Sequence, residues 1–145
     1  MSIQQLFQNK ILINSVLAFF TAQVIKTIIY ALSNKTLDFK RMIGDGGMPS
    51  AHSATVTALA FTAAIECGLD SPVFAVAAIT AIIVMHDAMG VRLEAGKHAK
   101  AINELMEMLY SNKRPNEKMQ ELLGHTPLQV GAGLVTGLII AIIFK

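Results

Sequence analysis

The run from Ile11 to Leu32, ILINSVLAFFTAQVIKTIIYAL, sets the first limit on what this chain can become. A helix of ~20 apolar residues crosses a bilayer core, and this run is long enough to do so. Gln23, Lys26, Thr27 and Tyr30 fall at helical spacings within it and share one face. A lysine inside an apolar span costs ~3 kcal/mol at mid-membrane on insertion scales, and it usually faces a cavity or a partner. Near the end of a span it also reaches the interface by snorkelling. Both readings of Lys26 stay open at this point.

The rest of the chain extends the same theme. Hydrophobic residues make up 53% and charged residues 15% of 145 positions, with a mean hydropathy of +0.52. A soluble bundle of this size needs a polar face on every helix, and several segments lack one. Membrane protein is therefore the class, and 145 residues make one integral-membrane domain, 1–145. The net charge of +2 gives no sign of a nucleic-acid partner. A single cysteine, Cys67, excludes an internal disulfide and a thiolate metal cluster; it is expected to pack inside its helix. No small-residue cleavage site follows the first apolar run, which is expected to remain as a helix.

Residues 1–10 are short and polar, expected at the interface, and residues 33–50 form a polar connection. A second span, Ala51 to Gly68, is rich in Ala and Thr, as suits a protein-packed helix. Glu66, Asp70, Ser71 and Pro72 mark a tight turn, and a third span runs from Pro72 to Gly90. The fourth, Pro127 to Phe144, holds Gly131, Gly133 and Gly137, the last two forming a small-xxx-small contact surface. Between spans three and four lies a polar insert, Val91 to Thr126. Its Ile102, Met106, Leu109 and Tyr110 predict an amphipathic helix on the membrane surface. A break at residues 112–116 follows, then a short helix ending at Gly124, the usual type of C-terminal cap. The expected fold is thus all-α: a polytopic membrane helix bundle of about four transmembrane helices plus the surface helix.

Four spans place both termini on one side. That side holds Lys10 and Lys145, while the other holds Lys35, Lys40, Arg41, Arg92, Lys97, Lys100, Lys113, Arg114 and Lys118. The excess of positive charge is expected in the cytoplasm. The termini then face outward, and the expected location is a bacterial plasma membrane.

Chemistry gathers at the cytoplasmic ends of the spans. The stretch Gly44-Asp45-Gly46-Gly47-Met48-Pro49-Ser50-Ala51-His52-Ser53 is a glycine-rich turn feeding a helix N-terminus, where free amides and the macrodipole suit an anion. His52 in that first turn changes charge near neutral pH. Asp87 and Arg92 lie at the end of span three, His125 precedes span four, and Lys26 approaches the same level on span one. Arginine offers a fork matched to phosphate oxygens. Two histidines on facing elements supply a nucleophile and a general acid. His86 reads as structural.

These residues fall into recognisable motifs. Met48-Pro49-Ser50-Ala51-His52-Ser53 resembles the Pro-Ser-Gly-His motif of the type-2 phosphatidic acid phosphatase superfamily, with Ala51 in place of glycine. Gly124-His125-Thr126-Pro127-Leu128-Gln129-Val130, followed by Gly133, resembles its third motif, in which the nucleophilic histidine precedes a proline and a glycine-rich helix. Asp87-Ala88-Met89-Gly90-Val91-Arg92, ending in Gly96-Lys97, is similar to a signature of the divergent branch, small membrane proteins related to acid phosphatases and vanadium-dependent haloperoxidases. The resemblance covers nearly the whole chain. It implies that His125 attacks phosphorus, His52 protonates the leaving oxygen, and Arg92 with Lys26 clamps the phosphoryl oxygens. Gly47 and Ser50 join the phosphate-binding set, Gln129 orients His125, and Asp87 is a further catalytic candidate. No metal or cofactor is implied, because cationic side chains and amides neutralise the phosphoryl charge.

The chain also departs from the superfamily. The polar insert separates Arg92 from His125, and Gln129 stands where an acid would hold the nucleophilic histidine. Lys26, Lys40 and Arg41 compete for the role of the first motif. His98 is a rival nucleophile, because its distance from Arg92 reproduces the superfamily spacing. The leading expectation is a membrane phosphatase acting on a lipid-linked or amphiphilic phosphate ester. The alternative is a non-catalytic membrane protein that binds an anionic lipid headgroup or acts as a scaffold. Transport of a solute has less support, since four short spans need a homo-oligomer to make a conduit.

Overall fold

The computed structural model describes residues 3–36, 46–109, 118–121 and 123–145. They form six helices: α1 (Ile3–Phe7), α2 (Lys10–Asn34), α3 (Ala51–Cys67), α4 (Pro72–Met89), α5 (Val91–Leu109) and α6 (Pro127–Ile143). Four of the starts are built the same way, by a side-chain oxygen that takes up an orphan amide of the first turn. Asn9 accepts from the amide of Leu12, Ser50 from Ser53, Ser71 from Phe74 and Thr126 from Gln129. Pro72 and Pro127 occupy the first turns of α4 and α6, where no N–H is needed. The apolar helices α2, α3, α4 and α6 fall within two residues of the expected spans at each end. Length and hydropathy suffice for bilayer crossing in α2 and in the α4–α5 run, while α6 is a shorter apolar helix.

The packing is inside out by the standard of a soluble protein. The centre is built from small residues: Ala18 and Ala22 of α2 meet Ala51, Ala54 and Ala58 of α3, with Ile140 of α6 closing the cluster. A second cluster joins Val56, Ala60 and Ala63 of α3 to Ala77 and Ala81 of α4. The large apolar side chains point the other way, among them Val16, Phe20, Val24 and Ile28 of α2 and Val76, Ile79 and Ile82 of α4. Water would penalise such a surface, whereas lipid tails are as apolar as the side chains. Buried polar groups serve as interhelical ties. Asn14, 2% exposed, donates to the Thr62 hydroxyl of α3 and to the Phe144 carbonyl that ends α6, both at 3.2 Å.

Helix α3 is the centre of the bundle, packed by α2, α4 and α6. Its contact with α6 is the small-xxx-small surface expected from Gly133 and Gly137. A Cβ on Gly133 would strike the Ser50 carbonyl, and one on Gly137 the Ala54 carbonyl. At the opposite end, the Lys10 ammonium lies 3.1 Å from Glu66, tying the start of α2 to the end of α3. Cys67, expected to pack internally, is exposed beside this pair, because it is the last residue of α3 and the chain turns away at Gly68.

The amphipathic α5 is present, with Ile102, Leu105 and Leu109 exposed on one side. On its outer face Lys97 sits 2.7 Å from Glu94, and that ammonium holds the Glu94 carboxyl below the ordinary carboxylate range. The short helix expected to end at Gly124 is not formed by residues 118–121 or 123. The Asn103 side chain donates to the Met119 carbonyl and accepts from the Met119 amide, at 2.9 and 3.0 Å. Backbone groups claimed by α5 in this way are lost to a helical ladder, which ties Met119 to α5 instead. Gly96 permits the approach: a Cβ there would be 2.7 Å from the Glu121 carbonyl. Tyr110, the break at 112–116, Lys40, Arg41, Gly44 and Asp45 lie outside the described residues.

Candidate functional site

A cavity of about 410 Å³ opens at the end of the bundle where α3 and α6 begin and α4 passes into α5. His52 reaches it as the second residue of α3, and Asp87 from the last turn of α4. Arg92 enters from the first turn of α5, and His125 from the turn before α6. Four residues drawn from positions 52 to 125 thus line one cavity. The remaining lining includes Ile83, Val84 and Leu123, which keeps the local dielectric low and strengthens charge interactions inside.

Backbone contacts place the second imidazole. The His125 amide donates to the Ala88 carbonyl at 2.9 Å, fastening the loop to the end of α4. Gly124, with φ +77°, makes the turn; a side chain there would collide with the backbone of Arg92 and Leu93. His125 is therefore set beside the start of α5 by a position only glycine fills readily. Across the α3–α6 seam the Ser50 amide donates to the Gln129 carbonyl at 3.0 Å, linking the elements that carry His52 and His125.

Gln129 has a double duty. Its side-chain oxygen accepts from the Thr126 amide at 3.0 Å, completing a capping box, and lies 3.4 Å from His125 Nδ1. Asp87 Oδ2 accepts from Arg92 Nε at 2.6 Å, with both side chains more than a third exposed. That bond engages one edge of the guanidinium only.

Other expected site residues fall elsewhere. Lys26 is buried rather than snorkelled, and with Gly47 it lines a second cavity of about 170 Å³. Gly46 lines both cavities. Ser50 lines neither; fully buried, it caps α3 and accepts a second hydrogen bond from the Ser53 hydroxyl at 3.0 Å. His98 is exposed and does not line the larger cavity. Six residues of helix separate it from Arg92, which turns the two about 120° apart. His86 is exposed as well. The reading from sequence gave no role to Ala88 or Leu123, and it named Gly46 only as part of the glycine-rich turn. Ala88 acts through its carbonyl, so no side-chain pattern could have marked it.

A helical bundle with small and polar residues inside, large apolar residues outside and a titratable cavity at one end has the build of a membrane protein. The comparisons agree: the model of the divergent PAP2 family matches residues 7–140, and the chain belongs to that family. It is similar to the uncharacterised membrane protein YuiD of Bacillus subtilis (strain 168), with 41% identity over 151 aligned positions covering 96% of each chain. No solved structure matches it.

Proposed function

We propose that the protein hydrolyses a lipid-linked or amphiphilic phosphate ester through a phosphohistidine intermediate. One observation carries this reading: His52, Asp87, Arg92 and His125, from separate elements, line one cavity. The capping box supplies the tautomer. Because the Gln129 oxygen already accepts from the Thr126 amide, it presents an acceptor to His125 Nδ1, and the ring answers by carrying its proton there. Nε2 then keeps its lone pair for attack on phosphorus. As the N–P bond forms and the P–O bond breaks, protonated His52 gives its proton to the leaving oxygen. Water, deprotonated by His52, then attacks the adduct; the P–N bond breaks and inorganic phosphate leaves. Asp87 positions Arg92 through Nε, leaving the two terminal guanidinium nitrogens for the non-bridging oxygens.

Gln129 orients the imidazole but cannot neutralise its cation as a carboxylate does. That substitution favours the second reading, a headgroup-binding protein without turnover, over any other competitor. The purified protein in detergent separates the two by phosphate release from phosphatidate and from a prenyl diphosphate. Turnover that falls at least ~100-fold in both His125→Ala and His52→Ala, with melting unchanged, is the expected result. No release by the parent, with headgroup binding intact, selects the scaffold.

The site is assigned to the cytoplasmic face of a bacterial plasma membrane, with α2, α3, α4 and α6 as four spans and the termini outside. Exposed Cys67 lies at the opposite end from the cavity. It should react with a membrane-impermeant thiol reagent in intact cells; labelling only after lysis reverses the orientation.

A further inference from the structure

The polar insert that parts Arg92 from His125 in the sequence also brings them back together in space. Arg92 stands in the first turn of α5. Among the described residues α5 packs against no helix other than α4, to which the single residue Gly90 joins it. A glycine at that joint leaves the backbone without side-chain restraint. The Arg92–Asp87 pair spans the joint, but both side chains are more than a third exposed, and such pairs hold weakly. Neither feature fixes the direction of α5, or the aim of its arginine.

The segment that leads into His125 supplies the missing restraint. At its far end Asn103 accepts from the Met119 amide and donates to the Met119 carbonyl, one side chain standing in for a paired backbone. The same amide nitrogen donates to the Glu121 carboxylate at 2.9 Å. About two turns nearer Arg92, Gly96 admits the carbonyls of Glu121 and Leu123, which would lie 2.7 and 2.9 Å from an added Cβ. Gly124 then meets the backbone of Arg92 and Leu93, and the His125 amide bonds to the Ala88 carbonyl of α4. The strap is thus anchored to the bundle at Ala88 and to α5 at Asn103. That second point lies about 16 Å of helix beyond Arg92, so holding it leaves α5 little angular freedom.

We infer that Asn103 is a positioning residue: its clasp on the strap sets the angle of α5 and so aims the Arg92 guanidinium at an anion beside His125. The inference rests on the phosphatase reading for the role of Arg92 and adds a residue that touches no substrate. The clasp does for Arg92 what a short connection to His125 would do, because it makes the segment between them a brace.

Vanadate titrated calorimetrically into the protein in uncharged detergent tests this. Asn103→Ala should weaken vanadate binding about three- to tenfold, as the share of α5 in the competent orientation falls. Melting should be unchanged, because Asn103 is a half-buried side chain outside the helix bundle. In an Arg92→Ala background there is no guanidinium to aim, and the same substitution should bring no further loss. Asn103→Asp still accepts from the Met119 amide but sets a carboxylate against Glu121, and should weaken vanadate at least as much as Asn103→Ala. Adding Glu121→Gln to Asn103→Asp restores a donor to that pair with its direction reversed, and should recover part of the loss. Unchanged binding in Asn103→Ala, or no recovery in the double variant, overturns the proposal. So does a further loss of equal size in the Arg92→Ala background, which would give Asn103 a role in the fold or through His125. Binding that survives loss of the clasp removes the role of Asn103 alone; a parent that binds no vanadate removes the anion site and the phosphatase reading with it.

Discussion

Along the seam between α3 and α6 two backbones touch, and added side chains at Gly133 or Gly137 have nowhere to go. Along the flank where α4 gives way to α5 the packing is sparse: Ala77, Ala81 and Ala88 are the buried residues of α4, Gly96 and Ala99 those of α5. The cavity lies between the two. Its imidazoles come from the seam side, on elements tied by the Ser50–Gln129 hydrogen bond. Its arginine and carboxylate come from the flank, joined by a half-exposed ion pair. The histidines are therefore held by the packing that holds the fold, and the proposed anion-binding arginine with its carboxylate partner is not. Stability and binding should separate on mutation.

The largest effect is expected on the seam. Gly137→Val would push into the Ala54 carbonyl and meet Thr57 Cβ, placed 2.8 Å from an ideal Cβ on this glycine. Neither is the free end of a flexible chain, so the helices must part, at a cost of about 3 kcal/mol. Denaturation in detergent should show that loss, together with loss of vanadate binding as the imidazoles move apart. A variant that melts like the parent would break the comparison outright.

Arg92→Ala should do the reverse. Vanadate or phosphate binding is expected to fall by about ten- to hundredfold, the effect of losing a charged donor. Its ion pair with Asp87 is more than a third exposed on both sides, so stability should change by less than about 1 kcal/mol. Equal losses in binding and stability would show that the flank is part of the frame. Asn14→Leu sharpens the same contrast from the far end of the bundle. Removing its bonds to Thr62 and Phe144 should cost about 1 kcal/mol in the unfolding assay and leave anion binding untouched.

The frame was easier to read from sequence than the site. Apolar runs punctuated by Ser-Pro and Thr-Pro announce helices and their first turns, and glycines four apart announce a close contact. Those signals reside in side chains at short range. The convergence of His52, Asp87, Arg92 and His125 was also legible, because each sits at the same end of its apolar run. What was hidden depends on backbone groups from distant segments. Nothing in residues 118–123 tells that Asn103 will claim the Met119 amide and carbonyl. Nothing in Gly46 tells that it will divide Lys26 from Arg92. For Lys26 the sequence left snorkelling and an inward position both open, and only its burial in the bundle decides between them.

The smallest effect tests whether close contact, rather than glycine as such, makes the seam. Gly131 belongs to the same helix as Gly133 and Gly137, and an added Cβ there meets nothing within 4 Å. Glycine in a helix interior is weaker than alanine because the unfolded chain has more freedom to lose. Gly131→Ala should therefore stabilise the protein, by about 0.5 kcal/mol, with no change in anion binding. The opposite signs expected at positions 131 and 137 come from the neighbours, since residue type and helix are the same. Destabilisation by Gly131→Ala would mean that a surface open within this chain is covered in the membrane, and a second copy of the bundle would then be the partner to seek by crosslinking at that position.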